Sequence, residues 1–195
     1  MNIWVTSDQH FFHSNIIQYC NRPFSDVDVM NYILEQKWND TVKENDILIH
    51  LGDLSAGLGG RVDEFAFLLK RLHGQKALIL GNHDHQTDEF YLRNGFLRVV
   101  KGQYSKNIFL NHIPPQSYKK DIDFIELYET IKPKLLIHGH NHNLTPDIPG
   151  QFNCAVDRHD FFPVSIETVM NSTGNIDILG DAYTMLTDFV LYQKQ

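Results

Sequence analysis

The chain has 195 residues, 42% of them hydrophobic and 21% charged, a size and balance expected of one soluble globular domain with a buried core. Its formal net charge of −7 disfavours a broad electrostatic footprint for long duplex nucleic acid or an anionic membrane. No stretch approaches a transmembrane helix, and no signal peptide is read at the N-terminus, so cytoplasmic residence is the default expectation.

The predicted elements alternate. Asn2 to Ser7 reads as a strand and Ser14 to Cys20 as a short helix. The spacing of Val27, Met30, Ile33, Leu34, Trp38, Thr41 and Val42 predicts a helix capped by Ser25 or Asp26. Asp46 to His50 is a buried strand, and Ser55 to Gly60 a turn without a phosphate-loop lysine. Val62, Phe65, Ala66, Leu69 and Leu72 mark a helix closed by Gly74, before a strand at Ala77 to Leu80. Phe96 to Asn111 holds two or three strands. A helix over Asp121 to Ile131 stops before Pro133. Leu135 to His138 and Gln151 to Val156 are strands, and Ser165 to Met170 is a short helix. The tail from Ile176 to Tyr192 is apolar enough to pack, as helix or strand. This order predicts an α/β protein of two packed sheets flanked by helices, with functional loops at one rim.

Polar clusters follow the strand-like runs. They are Asp8 and His10, then Asp53, then Asn82-His83-Asp84, then His112, then His140 and His142. Five of the eleven histidines lie in them. An Asp and a His two apart at a strand end can reach one cation, and a carboxylate can bridge two. The inferred set is Asp8, His10, Asp53 and His142 on one metal, with Asp53, Asn82, His112 and His140 on the other. Mixed imidazole and carboxylate ligands suit two divalent ions, Mn²⁺ first, with Fe²⁺, Zn²⁺ or Ni²⁺ as alternatives. Two such ions would acidify a bridging water for attack on phosphorus. His83 is the candidate general acid, and Asp84 the group expected to orient or charge-stabilise it.

These residues resemble the calcineurin-like metallophosphoesterase superfamily. Asp8-x-His10, Gly52-Asp53, Gly81-Asn82-His83-Asp84, His112 and Gly139-His140-x-His142 correspond in order to its five motifs. The resemblance implies a four-layer αββα sandwich of two mixed β-sheets flanked by helices, a dinuclear metal centre, and hydrolysis of phosphomonoesters or phosphodiesters. The stretch from His10 to Ile17, with Asn21-Arg22-Pro23-Phe24, is similar to a compact bacterial and phage branch. The Gly-Asp-x-x-Asp-Arg-Gly form of protein serine/threonine phosphatases is absent, which argues against a protein substrate.

Several neighbours are candidates for substrate contact. Asn82 faces both roles. Arg22 offers a bidentate phosphate clamp, with a surface arginine or an Arg–carboxylate pair as the alternatives. Asn15 and His13 can touch substrate, orient ligands, or merely cap the following helix. Phe11, Phe12, Tyr19 and Phe24 form a nucleobase-stacking wall or, on the stronger reading, a satellite core. Asp157 is a candidate support for a histidine ligand. Cys20 and Cys154 read as buried thiols, and His50, His73 and His159 as structural. The expected activity is hydrolysis of a small phosphate ester or nucleotide. The alternatives are a nuclease acting on short or single-stranded nucleic acid, a cyclic-nucleotide phosphodiesterase, or a non-catalytic scaffold. The presence of His83 argues against the last.

Overall fold

The computed structural model describes residues 1–117 and 122–192, with side chains left undescribed at 122 and 123. Parallel strands β1 (Ile3–Thr6), β2 (Ile47–His50), β3 (Gln75–Ile79) and β4 (Phe96–Val100) form the first sheet. A fifth strand, Val164–Ser165, runs antiparallel to β1 at the sheet's edge. The second sheet is β5 (Gly102–Tyr104), β6 (Ile108–Asn111), β7 (Leu135–His138) and β8 (Gln151–Asn153), with β5 antiparallel to β6 and the rest parallel. Val164–Ser165 is β9, and the strand order is β4-β3-β2-β1-β9 beside β5-β6-β7-β8. Both sheets are therefore mixed.

Period-two alternation decides which face each residue buries. Ile3, Val5, Ile47, Ile49, Ala77 and Ile79 turn inward to meet Ile108, Leu110, Leu135 and Ile137 of the second sheet. Leu48 and Leu78 turn outward beneath α2 (Val27–Thr41) and α3 (Val62–Arg71), which contribute Met30, Leu34, Trp38, Phe65 and Leu69. Asp26 caps α2 by accepting the Val29 N–H at 2.9 Å, a contact typically worth about 1 kcal/mol. On the far side, Phe109 of β6 meets Phe124 and Tyr128 of the helix Ile122–Ile131 at ring distances of 5.2 and 5.7 Å. The layers are thus helix, sheet, sheet, helix, as the fold requires.

Most expected elements are present with shifted ends. The region Phe96 to Asn111 gives three strands in two sheets, because the chain crosses between sheets at Lys101. The predicted strand to Val156 stops at Asn153 and becomes a 3₁₀ turn over Val156–Arg158. Asp121, the expected start of the helix before Pro133, lies outside the described residues. Helices α1 (Asn15–Tyr19) and α4 (Asp88–Arg93) precede that helix, α5; α4, capped by Thr87, had no sequence expectation. The tail resolves as helix: α6 (Ile166–Ser172) is followed by α7 (Leu179–Leu191). Ala182, Leu186, Phe189 and Val190 of α7 share one face and join the inner core. No helix among the described residues is long and apolar enough to cross a membrane.

The sheets converge at the C-terminal ends of β1 and β8. Ser7 pairs with Ala155 in a parallel bridge, and the Val156 N–H donates to the Ser7 carbonyl at 3.1 Å. That junction brings the loops after β1, β2, β3, β6 and β7 to one place.

Candidate metal centre

The backbone at this rim is unusual. Of the ten described non-glycine residues with positive φ, five are predicted ligands: Asp8 (64°), His10 (52°), Asp53 (57°), His140 (70°) and His142 (46°). Left-handed backbone disfavours side chains with a Cβ, and it persists where the surroundings over-determine it. Here hydrogen bonds between loops hold it. The Asp8 N–H donates to Gly52 O at 2.9 Å, and the His10 N–H to Asp53 O at 3.0 Å. The loops also approach too closely for larger residues. A Cβ on Gly81 would overlap Asp53, and one on Gly139 would overlap Asp8 and Ser7. This explains glycine ahead of Asn82 and His140.

The predicted ligands fall into two groups. Ligand atoms of Asp8, His10 and His142 lie within 4.8 Å of one another, as do those of Asp53, His112 and His140. Asp53 stands between them, its Oδ2 3.5 Å from His10 Nε2 and 3.3 Å from His112 Nε2. Asn82 Oδ1 lies 3.0 Å from His140 Nδ1, on the second group's side. His142 Nε2 is 3.7 Å from Asp8 Oδ1, and the His140 N–H donates to both Asp8 oxygens at 3.1 Å.

The donor set fits divalent cations. His10 Nδ1 and Nε2 and His112 Nε2 are buried with no hydrogen-bond partner among the described residues. An unsatisfied buried polar atom ordinarily costs about 1–3 kcal/mol. Two of the imidazoles have their outer nitrogen fixed. His112 Nδ1 donates to Leu51 O at 2.7 Å, and His142 Nδ1 to Asp157 Oδ2 at 2.7 Å. Each bond aims Nε2 and its lone pair into the site.

Electrostatics point the same way. Burial and neighbouring positive groups hold His10 neutral, its pKa at about 2, and burial holds His140 at about 4. Burial pulls His112 down, but Asp53 and Asp8 outweigh it and lift the pKa to about 9. His142 is likewise lowered by burial but raised overall to about 10 by Asp157, Cys20 and Asp8. Burial raises the Asp8 carboxyl. It acts upward on Asp53 too, yet the close approach and charge of His112, 3.3 Å away, keep that carboxyl well below the usual range. Two buried carboxylates at one point require compensating positive charge.

His83 sits at the mouth. Its main-chain N–H donates to Asp53 Oδ1 at 2.9 Å, and its half-buried ring lies 5.3 Å from the His10 ring and 6.4 Å from His13. His13 is half-buried, its pKa lowered chiefly by burial, and Asn15 and Asn82 are exposed.

Two predicted roles are corrected. Asp84 does not orient the His83 imidazole. Its Oδ2 accepts the N–H groups of Asp53 and Gly81 at 2.8 Å each, and its Oδ1 accepts Leu54 N–H at 2.9 Å and the Tyr91 hydroxyl at 3.4 Å. It clamps the two loops that carry Asp53 and Asn82. Arg22 is not free to clamp phosphate. It is buried and bidentate to Asp157 at 2.8 Å, and it donates to the main-chain oxygens of Asp8 (2.7 Å) and Gln9 (2.8 Å). The Arg–carboxylate alternative is the one the structure displays.

Sequence reasoning gave Cys20 a merely structural role, yet its sulfur lies within 4.8 Å of ligand atoms on His142 and Asp157. Both Asp157 oxygens there are already engaged by Arg22 and His142. Phe11 is buried, and Phe12 and Phe24 pack against the outer core, so the satellite-core reading holds for three of the four aromatics; Tyr19 is exposed. His50 lies behind the site, its Nε2 2.5 Å from Gln9 Oε1 and its Nδ1 accepting the Gly52 N–H.

A two-sheet α/β sandwich with paired Asp–His clusters at its rim defines a metal-dependent phosphoesterase architecture. The profile of the family described as calcineurin-like phosphoesterase matches residues 1–145, and the chain belongs to that family. An uncharacterized protein of Methanocaldococcus jannaschii is 34% identical over 175 residues, covering 86% of this chain and 89% of that protein. The gene 66 protein of Mycobacterium phage D29 is 28% identical, covering 84% of this chain and 92% of its own length. A protein of unknown function from Aquifex aeolicus, solved by crystallography, superposes with a TM-score of 0.68 at 25% identity, covering 88% of this chain and 98% of that one. The family implies divalent metal ions, and the two Asp–His groups are where such ions can bind.

Proposed function

We propose that this chain hydrolyses phosphomonoester or phosphodiester bonds of a small phosphate ester or nucleotide, using two divalent ions with Mn²⁺ preferred. The observation that supports this most is the pair of Asp–His groups joined through Asp53, with buried imidazole nitrogens lacking partners among the described residues. Asp8, His10 and His142 would hold one ion, and Asn82, His112 and His140 the other, with Asp53 shared. When bound, the ions supply a polarised water as nucleophile and a positive seat for the phosphoryl oxygens.

The protein's own groups do the rest. Asp53 is held by Asp84 and by the His83 N–H, so the carboxylate needs little reorganisation. As the water oxygen bonds to phosphorus and the ester P–O bond breaks, His83 gives a proton to the departing oxygen. The half-buried ring at the site mouth supports that role. The test is hydrolysis of p-nitrophenyl phosphate and bis-p-nitrophenyl phosphate by Mn²⁺-loaded protein; turnover of neither refutes the reading. His83→Ala is expected to keep its metal content and lose roughly 10²–10⁴-fold in rate on alkyl esters. Loss of metal from that variant would make His83 a ligand instead.

A further inference from the structure

A cavity of about 630 Å³ opens beside the candidate metal centre, and Asn82 and His112 line it. Its other walls are largely apolar: Tyr104, Phe109, Ile113, Phe124 and Leu127, contributed by the second sheet, the loop after β6, and α5. Tyr104 and Phe109 stack with centroids 5.6 Å apart and planes 13° from parallel, and Phe124 meets Phe109 edge-on. Tyr104 is nonetheless 50% exposed, so a large aromatic ring stands half-uncovered at the cavity. Lys101 also lines it, exposed and without an ion pair among the described residues, in a chain of net charge −7.

We propose that this cavity binds the aromatic, nucleobase-type portion of a phosphate ester whose phosphate rests on the Asp–His groups. The proposal rests on the phosphoesterase reading for the position of the phosphate. The size suits a drug- or nucleoside-sized group, since ligand pockets run roughly 300–1,000 Å³, and a methyl or glycerol ester would leave most of it wet. The chemistry suits a flat ring, because aromatic side chains favour offset or edge-on partners and bases stack on them regardless of sequence. The cation at its edge favours an anionic ligand over a neutral aromatic one. The aromatic cluster on the opposite side is not comparable: Phe11 is buried, and Phe12 and Phe24 are packed into core.

AMP and ribose 5-phosphate share a phosphate and a ribose and differ by adenine, so they isolate the cavity. Both are titrated by calorimetry into Mn²⁺-loaded protein, where binding heat separates from the sustained heat of turnover. AMP is expected to bind roughly tenfold or more tightly, the scale of one stacked base. Leu127→Trp, which fills the cavity, and Tyr104→Ala, which removes the uncovered ring, should each bring AMP towards the affinity of ribose 5-phosphate. Circular dichroism checks that both variants are folded. Equal affinities in the wild type, no binding of either, or an AMP preference intact in both folded variants would overturn the proposal. An AMP preference with no turnover of AMP or either p-nitrophenyl ester would leave the cavity assignment standing and refute the phosphoesterase reading.

Discussion

Replacing Arg22 with methionine separates two accounts of this residue. Arg22 is 4% exposed, and its guanidinium serves both Asp157 oxygens and the main-chain oxygens of Asp8 and Gln9. Methionine fills similar space and removes every donor. Asp157 would keep only His142 as a charged partner, and two carbonyls on the ligand loop would lose their donors. Breaking a buried ion pair from one side costs about 3–5 kcal/mol. For a chain of this size each kcal/mol shifts the midpoint by about 2–4 °C, so Arg22→Met should melt roughly 6–20 °C below the wild type. Arg22→Lys keeps the charge but not the fork, and should fall between. The assay is thermal unfolding of metal-free protein followed by circular dichroism at pH 7. A fall of less than about 3 °C would refute the bracing role on the scale of that loss. If Arg22 were a phosphate clamp instead, the variant would melt normally and show only a raised KM.

Asp84→Asn tests the clamp between loops. One acceptor oxygen becomes an amide that faces main-chain N–H groups, which should cost about 1–3 kcal/mol and weaken Mn²⁺ binding. Unchanged urea unfolding and unchanged metal affinity would refute it. Metal binding should also release protons. Without a cation, His112 and His142 hold protons to about pH 9 and 10, and a ligating Nε2 must be bare. At pH 7.5 Mn²⁺ titrations should therefore release up to about two protons, with affinity rising as pH rises. Calorimetric heats identical in phosphate and Tris buffers would contradict this. Asp157 predicts the acid limb of stability. Burial acts upward on it, but His142 and Arg22 depress its pKa to about 2, below an ordinary Asp near 3.8. Its contribution, on the order of 2 kcal/mol, is complete above pH ~5 and is lost as pH falls through about 2. The stability gap between wild type and Asp157→Asn in metal-free protein should narrow between pH 5 and pH 2.5; a constant gap would refute it.

The parts of this molecule that were legible in its sequence are those with local signals. β1, β2, β3 and β7 are short apolar runs, and each candidate ligand follows within a few residues of a strand end. What was not legible depends on partners far along the chain. Arg22 meets Asp157 across 135 residues, and a free or paired guanidinium looks the same in sequence. Asp84 stands beside His83, so adjacency suggested a partnership, but its acceptors point back to Asp53 and Gly81. The two-residue strand β9 is too short to show alternation. The aromatic residues carry the same lesson. Phe11, Phe12, Tyr19 and Phe24 cluster in sequence and look like a substrate wall, yet three of them are spent on core. Tyr104, Phe109 and Phe124 are spread over two strands and a helix, where each reads as an ordinary packing residue. Sheet pairing between β5 and β6 and the docking of α5 gather them beside Asn82 and His112. A substrate wall assembled from three elements leaves no contiguous motif, whereas each candidate metal ligand of this chain follows closely on a strand end. The residues that set the chemistry are therefore easier to read from a single sequence than those that choose the substrate.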